Sequence, residues 1–120
     1  MDSTTNIEEL KLLVKTFCEE RNWDQYHNAK DLVIGIITEA SELLEHYRFK
    51  SGTEVEDMMR DKRMLIKISE EVADISYFLL RLCQRYDIDL SEALRSKILQ
   101  NARKYPVEYA KGSNKKYTEL

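Results

Sequence analysis

The chain has 120 residues, of which 42% are hydrophobic and 34% charged, and its formal net charge is -3. This length allows one hydrophobic core, and the three glycines and single proline favour an all-α protein over a β-rich fold, which needs such residues at its turns. The few glycines also exclude a glycine-rich phosphate loop or a dinucleotide-binding turn.

The first predicted helix covers residues 6–22. A capping box, Thr5-x-x-Glu8, precedes it, and apolar side chains recur along it at helical spacing. Residues 21–27, with the sequence RNWDQYH, interrupt this pattern and predict a loop before the next helix.

The second and third predicted helices follow this loop. Asn28 is a typical N-cap residue for a helix that continues to residue 49. A second capping box, Thr53-x-x-Glu56, opens an unusually long third helix that extends to residue 86, with a weak point at the charged run 60–63.

A fourth helix is predicted over residues 90–105, because Asp89 is suited to cap its start and Pro106 stops it. Four amphipathic helices with short links are typical of a four-helix bundle. We therefore expect one helical domain over residues 1–110 and a polar tail over residues 111–120.

The third helix has apolar residues over a wide arc, roughly 140° at ~100° per residue. Glu71 lies in the middle of this arc, whereas Arg81 is expected on the polar side. A single partner helix rarely covers so wide an arc. Self-association into a dimer or tetramer is therefore expected.

Several partners and compartments are disfavoured by the sequence. No stretch approaches the ~18 apolar residues of a membrane span, and the slightly acidic balance gives no long-range attraction for nucleic acid. Cys18 and Cys83 lack a CxxC spacing, so they are interpreted as reduced packing residues. These features predict a cytoplasmic protein that binds neither membranes nor nucleic acid.

Two acidic pairs flank faces that are otherwise apolar. Glu71 and Asp74 project from the third helix at i, i+3 spacing, and Glu39 and Glu42 do so from the second. Burying an ionised carboxylate on a core-facing stripe costs roughly several kcal/mol of folding free energy, unless the carboxylate is paired or bound to metal. Oxygen ligands alone favour Mg²⁺ or Mn²⁺ over zinc.

Other interpretations of these carboxylates remain open. They could form salt bridges with Lys67, Arg81 or Lys97 in a non-catalytic helical interaction module. A di-iron carboxylate bundle requires Glu-x-x-His motifs, and neither His27 nor His46 has a glutamate three residues before it.

The fourth helix presents Lys97, Asn101 and Lys104 within about 60° of one another. Two cations and an amide on one face suit a polyphosphate that also contacts a metal-carboxylate cluster. The alternative is that these lysines snorkel along the flank of the helix.

Aromatic residues in the predicted loop could bind a base. Trp23 and Tyr26 are able to stack on it, and Asp24, Gln25 or His27 could contact its polar edge. The alternative is that Trp23 covers one end of the core.

Taken together, these motifs resemble a known family. The chain combines Glu39-x-x-Glu42 with Glu71-x-x-Asp74, and its supporting segments are RNWDQYH, EASELLEHYRFKS, EEVADISYFLLRL and SKILQNARKYPVEY. This pattern is similar to that of the all-α nucleoside triphosphate pyrophosphohydrolases, and within them to the MazG-like dCTP pyrophosphatase group.

The resemblance implies a nucleotide-pool house-cleaning enzyme that hydrolyses dCTP or a related or modified dNTP to the monophosphate and pyrophosphate, as a dimer or dimer of dimers. The implied magnesium ligands and catalytic residues are Glu39, Glu42, Glu71 and Asp74. We expect one of these glutamates, with Glu42 preferred, to orient the attacking water as a base rather than to bind metal throughout. The implied substrate contacts are Trp23, His27, Phe49, Phe78, Lys97, Asn101 and Lys104.

Three positions depart from the pattern of dCTP-specific relatives. This chain has Val14 where they have a histidine, Phe49 where they have a tryptophan, and Phe78, beside Tyr77, where a tyrosine is usual. All three concern the nucleoside side of the pocket, so the resemblance supports the hydrolytic reaction more strongly than a preference for cytosine.

Overall fold

The computed structural model describes residues 1–120, all of its regular structure is helical, and the predicted all-α class is confirmed. No helix is both long and apolar enough to cross a membrane. The α-helices are α1 (Ile7–Glu19), α2 (Ala29–Glu45), α3 (Gly52–Arg60), α4 (Lys62–Arg85), α5 (Leu90–Lys104) and α6 (Val107–Ala110). Short 3-10 turns cover Asp24–Tyr26 and Tyr117–Glu119.

The chain forms two compact units, Met1–Asp87 and Ile88–Leu120. In the first unit, α4 is the central element, and α1, α2 and α3 all pack against it. In the second unit, the ring of Tyr117 contacts that of Tyr105 edge-on, with 6.0 Å between centroids. The boundary between a domain over 1–110 and a tail over 111–120 stays a prediction.

Capping residues determine where the first helix starts. The predicted box at Thr5 is wrong by one residue, because Asn6 accepts the N–H of Glu9 at 2.9 Å and the Glu9 carboxylate accepts the N–H of Asn6 at 3.3 Å. Helix α1 ends at Glu19, earlier than predicted, and Asn22 then adopts a left-handed φ of 55°. Asn28 caps α2 as predicted, but this helix ends at Glu45 rather than at residue 49.

The predicted long third helix is two helices. The break falls at Asp61, inside the charged run identified as its weak point, and Asp61 is extended and caps α4 by accepting the N–H of Arg63. Helix α3 also begins earlier than predicted, since Ser51 and Glu54 form its capping box. Asp89 caps α5 as predicted.

The core of the structure is small. Five hydrophobic residues are buried, namely Cys18, Leu32, Ile68, Leu80 and Cys83. Both cysteines are free thiols, which confirms their interpretation as packing residues. Arg81 is fully buried, so its predicted place on the polar side of the helix is wrong. Its partners His27 and Asp24 lie in the loop before α2, and the periodicity of α4 contains no information about them.

Candidate active site

Helices α2 and α4 bring three of the four predicted acidic residues into one cluster. One carboxylate oxygen each of Glu39, Glu42 and Glu71 lies within 4.8 Å of the other two. The i, i+3 spacing of the first pair turns both side chains to one side of α2, towards the facing helix α4. Asp74, one turn after Glu71, lines a pocket together with Glu39.

The electrostatics of this cluster are unfavourable for three bare carboxylates. The pKa of Glu39 is raised by burial, by its hydrogen bond with Glu42, and by the charges of Glu42, Asp74 and Glu71. Oxygen Oε2 of Glu71 is buried and has no hydrogen-bond partner. A divalent cation would satisfy this oxygen and reduce the repulsion, so the cluster fits an ion with oxygen ligands, such as Mg²⁺.

One residue in contact with this cluster was not predicted from the sequence pattern. His46 lies at the C-cap of α2, with Nε2 3.4 Å from Oε1 of Glu71. It follows Glu42 by four residues, which is a same-face spacing in a helix and the signal that could have found it. The salt-bridge alternative receives no support from Arg81, whose ion-pair partner is Asp24.

A pocket of about 640 Å³ adjoins the acidic cluster. Its lining is mainly apolar and aromatic and comes from α1, α2, α4 and the loop before α2. The lining residues are Leu13, Val14, Phe17, Trp23, Glu39, Asp74, Tyr77 and Phe78. The Phe17 ring packs edge-on against Trp23 and Tyr77, with centroid distances of 5.6 Å and 6.0 Å. The pocket therefore combines flat apolar surfaces with carboxylates in one lining.

Polar groups for recognising a base are few in this pocket. The Tyr77 hydroxyl lies 3.1 Å from the Cys18 thiol, and burial and this contact raise the pKa of the Tyr77 phenol. Val14 lines the pocket, so the departure noted at this position places a methyl surface in its wall. Gly35 of α2 makes room for Phe78, because a Cβ there would lie 2.5 Å from ring carbons of Phe78.

The remaining predicted substrate contacts are not among the residues that line this pocket. His27 has Nδ1 bound by Arg81, and its ring centroid is 6.1 Å from that of Trp23. Phe49 is 91% exposed, has a left-handed φ of 65°, and stacks with the Arg48 guanidinium.

The basic residues predicted to bind phosphates lie on α5, in the second unit. Lys97 is exposed and Asn101 is half-buried. The Lys104 ammonium is 5.0 Å from the Tyr117 ring centroid, so a cation–π contact holds it within its own unit.

Comparisons with known proteins agree on one family. A model of the MazG-like family matches residues 34–120. The chain is 33% identical to dCTP pyrophosphatase 1 of Mus musculus over 114 residues, which are 95% of this chain and 67% of that protein. It is also 33% identical to dCTP pyrophosphatase 1 of Bos taurus over 118 residues, which are 98% of this chain and 70% of that protein.

Among solved structures, a pyrophosphatase from Archaeoglobus fulgidus is similar with a TM-score of 0.78 and 36% sequence identity. The match covers 83% of this chain and 92% of that chain. Sequence and structure therefore lead to the same result: the chain belongs to the MazG-like family of nucleoside triphosphate pyrophosphohydrolases.

Proposed function

We propose that this enzyme hydrolyses dCTP, or a related or modified dNTP, to the monophosphate and pyrophosphate. The main supporting observation is the buried Oε2 of Glu71, which has no partner and lies in a cluster of carboxylates beside an aromatic pocket. In this proposal the base enters the pocket and the triphosphate extends to the carboxylates. Relatives named dCTP pyrophosphatase 1 support the choice of nucleotide.

The proposed cofactor is Mg²⁺, with Mn²⁺ as an alternative, because every proposed ligand is a carboxylate oxygen. The proposed ligands are Glu39, Glu42, Glu71 and Asp74. When bound, the ion supplies Lewis-acid activation of the triphosphate and offsets the charge on its oxygens. A cation also explains how like charges can remain ionised at such short distances.

Glu42 is the proposed base, since it is the exposed member of the cluster and is therefore open to water. Its carboxylate accepts a proton from water as the water oxygen forms a bond to the α-phosphorus. The phosphoanhydride bond between the α and β phosphates breaks, and pyrophosphate leaves. Roles for Lys97, Asn101 and Lys104 at the phosphates, and for His27 and Phe49 at the base, stay predictions.

The aromatic lining is proposed to bind the base by stacking. Trp23 and Phe78 supply aromatic surfaces, and the side chains of Val14 and Phe78 have no hydrogen-bonding group. This supports hydrolysis of dNTPs that carry several related bases. A cytoplasmic location also stays a prediction.

The decisive experiment measures pyrophosphate release across a panel of natural and modified dNTPs, for the wild-type chain and Glu71→Gln. Gln keeps the shape of the side chain but removes the charge that holds a cation. We expect Glu71→Gln to lose more than about a hundredfold in turnover even at saturating Mg²⁺. In the presence of a chelator its Tm should equal or exceed that of the wild type, because one buried like charge is gone.

The matched control is Glu45→Gln. Glu45 lies on the same helix as Glu39 and Glu42, but it is exposed and pairs with Arg48 at 3.3 Å. This variant should retain wild-type turnover. Undiminished turnover in Glu71→Gln would contradict the assignment. A non-catalytic module would show no turnover in any protein and no rise in Tm with Mg²⁺ plus a nonhydrolysable dCTP analogue.

A further inference from the structure

The loop before α2 supplies one wall of the pocket. Trp23, which lines the pocket, begins this loop's 3-10 turn, Asp24–Tyr26, and His27 ends it. On one side the loop is tied to α1, since the backbone N–H of Trp23 donates to the carbonyl oxygen of Cys18 at 3.1 Å. A second attachment joins it to α4.

That attachment is Arg81, whose side chain is fully buried. Its Nε donates to Nδ1 of His27 at 2.9 Å, and its Nη2 donates to a carboxylate oxygen of Asp24. Its remaining terminal nitrogen, Nη1, donates to Gln84 of α4 itself. The guanidinium therefore binds both ends of the short turn that follows Trp23.

Burial of a guanidinium is costly unless its donors are satisfied, so this arrangement requires partners at fixed positions. Asp24 supplies the opposite charge, and the pKa of its carboxyl is lowered mainly by the hydrogen bond from Arg81. His27 must be neutral at Nδ1 to accept from Nε. A planar fork of donors orients its acceptors more strictly than the point charge of a lysine would.

We propose that Arg81 is a positioning residue for nucleotide binding, which holds the Asp24–His27 turn against α4 and thereby fixes Trp23 in the wall of the base pocket. This inference rests on the proposed function, since it assigns a role to the pocket as a base site. Arg81 acts through Trp23, and its three hydrogen-bond partners are Asp24, His27 and Gln84. Loss of Arg81 should therefore weaken substrate binding more than it slows hydrolysis.

The test uses Trp23 as its own reporter, because it is the only tryptophan in the chain. Arg81→Met removes the charge and the fork while keeping most of the side-chain length. We expect a red-shifted Trp23 emission in the free protein and a KM for the preferred dNTP raised roughly tenfold or more, while kcat at saturating substrate stays within about threefold. The Mg²⁺ concentration for half-maximal activity should not change.

Two further variants separate positioning from general stability. Arg85→Met is the matched control, because Arg85 is partly exposed and lies 3.7 Å from the other oxygen of Asp24; it should retain wild-type KM and emission. Asp24→Ala removes the charged partner of Arg81 on the loop side of the contact. The Asp24 side chain is 45% exposed, and its loss should raise KM as Arg81→Met does.

The outcomes are distinguishable. An Arg81→Met protein that folds with wild-type KM and emission would overturn this inference alone. If Arg81→Met does not fold, a wild-type KM in Asp24→Ala would overturn it equally. Absence of dNTP turnover by the wild-type chain would instead overturn the proposed function, and the inference with it. A raised KM in both variants with an unchanged Arg85→Met control would support it.

Discussion

The two histidines lie in opposite electrostatic settings. His46 contacts the carboxylate of Glu71, whereas His27 contacts the guanidinium of Arg81. Burial lowers the pKa of His27, and the charge of Arg81 lowers it further, while Asp24 opposes this and Arg85 adds to it. At neutral pH His27 is therefore an uncharged hydrogen-bond acceptor.

This setting predicts an acid-sensitive loop. Because the pKa of His27 is lower in the folded state, the unfolded chain binds more protons as the pH falls below about 6.5, and the free energy of unfolding falls with it. Thermal melts between about pH 7.5 and pH 5 should show a steeper loss of stability in the wild type than in His27→Gln, whose amide oxygen can still accept from Arg81.

Every other residue is identical in the two proteins, so the difference in slope reports on His27 alone. Asp24 contributes at a lower pH, because its lowered pKa places its loss of charge below the usual aspartate range. Identical slopes for the wild type and His27→Gln would contradict the prediction. A shift in Trp23 emission over the same interval would link the titration to the pocket wall.

At single residues, sequence patterns predicted what depends on helical spacing. The carboxylates of Glu39, Glu42 and Glu71 meet because each lies on the face of its helix that meets the other helix. Arg81 could not be placed in this way, since its partner Asp24 is 57 positions away in sequence and lies in a loop. Burial of a charge depends on such tertiary partners, which periodicity does not contain.

Among the elements, the close approach of α2 and α4 depends on Gly35. A Cβ at this position would lie 2.5 Å from two carbons of the Phe78 ring, so Gly35→Ala forces the ring or the helix to move. We expect a net loss of about 1–3 kcal/mol in the free energy of unfolding, partly offset by the better helix propensity of alanine. Urea denaturation measures this change.

The control for that substitution is Gly52→Ala, at the start of α3, where a Cβ would have no neighbour within 4 Å. It should be neutral or slightly stabilising. A double variant, Gly35→Ala with Phe78→Leu, should recover part of the loss because the smaller side chain leaves room. Equal stability of Gly35→Ala and the wild type would show that Phe78 can move aside freely.

Element boundaries were harder to predict than element identities. Asn6 rather than Thr5 caps α1, and Ser51 rather than Thr53 begins the box of α3. Neighbouring polar residues have similar capping potential, and the backbone conformation, extended at Asn6 and Ser51, decides which of them acts. The break at Asp61 was visible as a charged run, because its residues provide no apolar packing to continue a long helix.

For the whole molecule, the main feature is that a single chain leaves apolar side chains of α2 and α4 exposed. On α4, Leu65, Val72 and Leu79 recur every seven residues and remain 37–47% exposed. On α2, Ile34 is 52% exposed and Ile37 is 64% exposed. Monomeric proteins rarely leave contiguous apolar patches uncovered, and a seven-residue repeat is typical of helix-to-helix packing.

We therefore predict that the chain assembles as a homodimer or homotetramer through α2 and α4. Sedimentation should give two or four times the chain mass of 14.2 kDa. Ile37→Lys should shift the protein to a smaller species, because a charge in an apolar interface is desolvated without a partner. Its fold should persist, since the side chain is largely exposed within one chain.

Thr16→Lys adds the same charge at an exposed polar position of α1 and should leave the assembly unchanged. A wild-type chain that sediments as a monomer would refute the prediction, and so would an Ile37→Lys protein with wild-type mass.

Assembly should also add to the stability that the small buried core provides. If the exposed stripes of α2 and α4 are covered in the assembly, their burial adds roughly 25 cal/mol per Å² of apolar area to a fold with few fully buried residues. Dissociation by Ile37→Lys should then lower Tm as well as mass, and Thr16→Lys should lower neither.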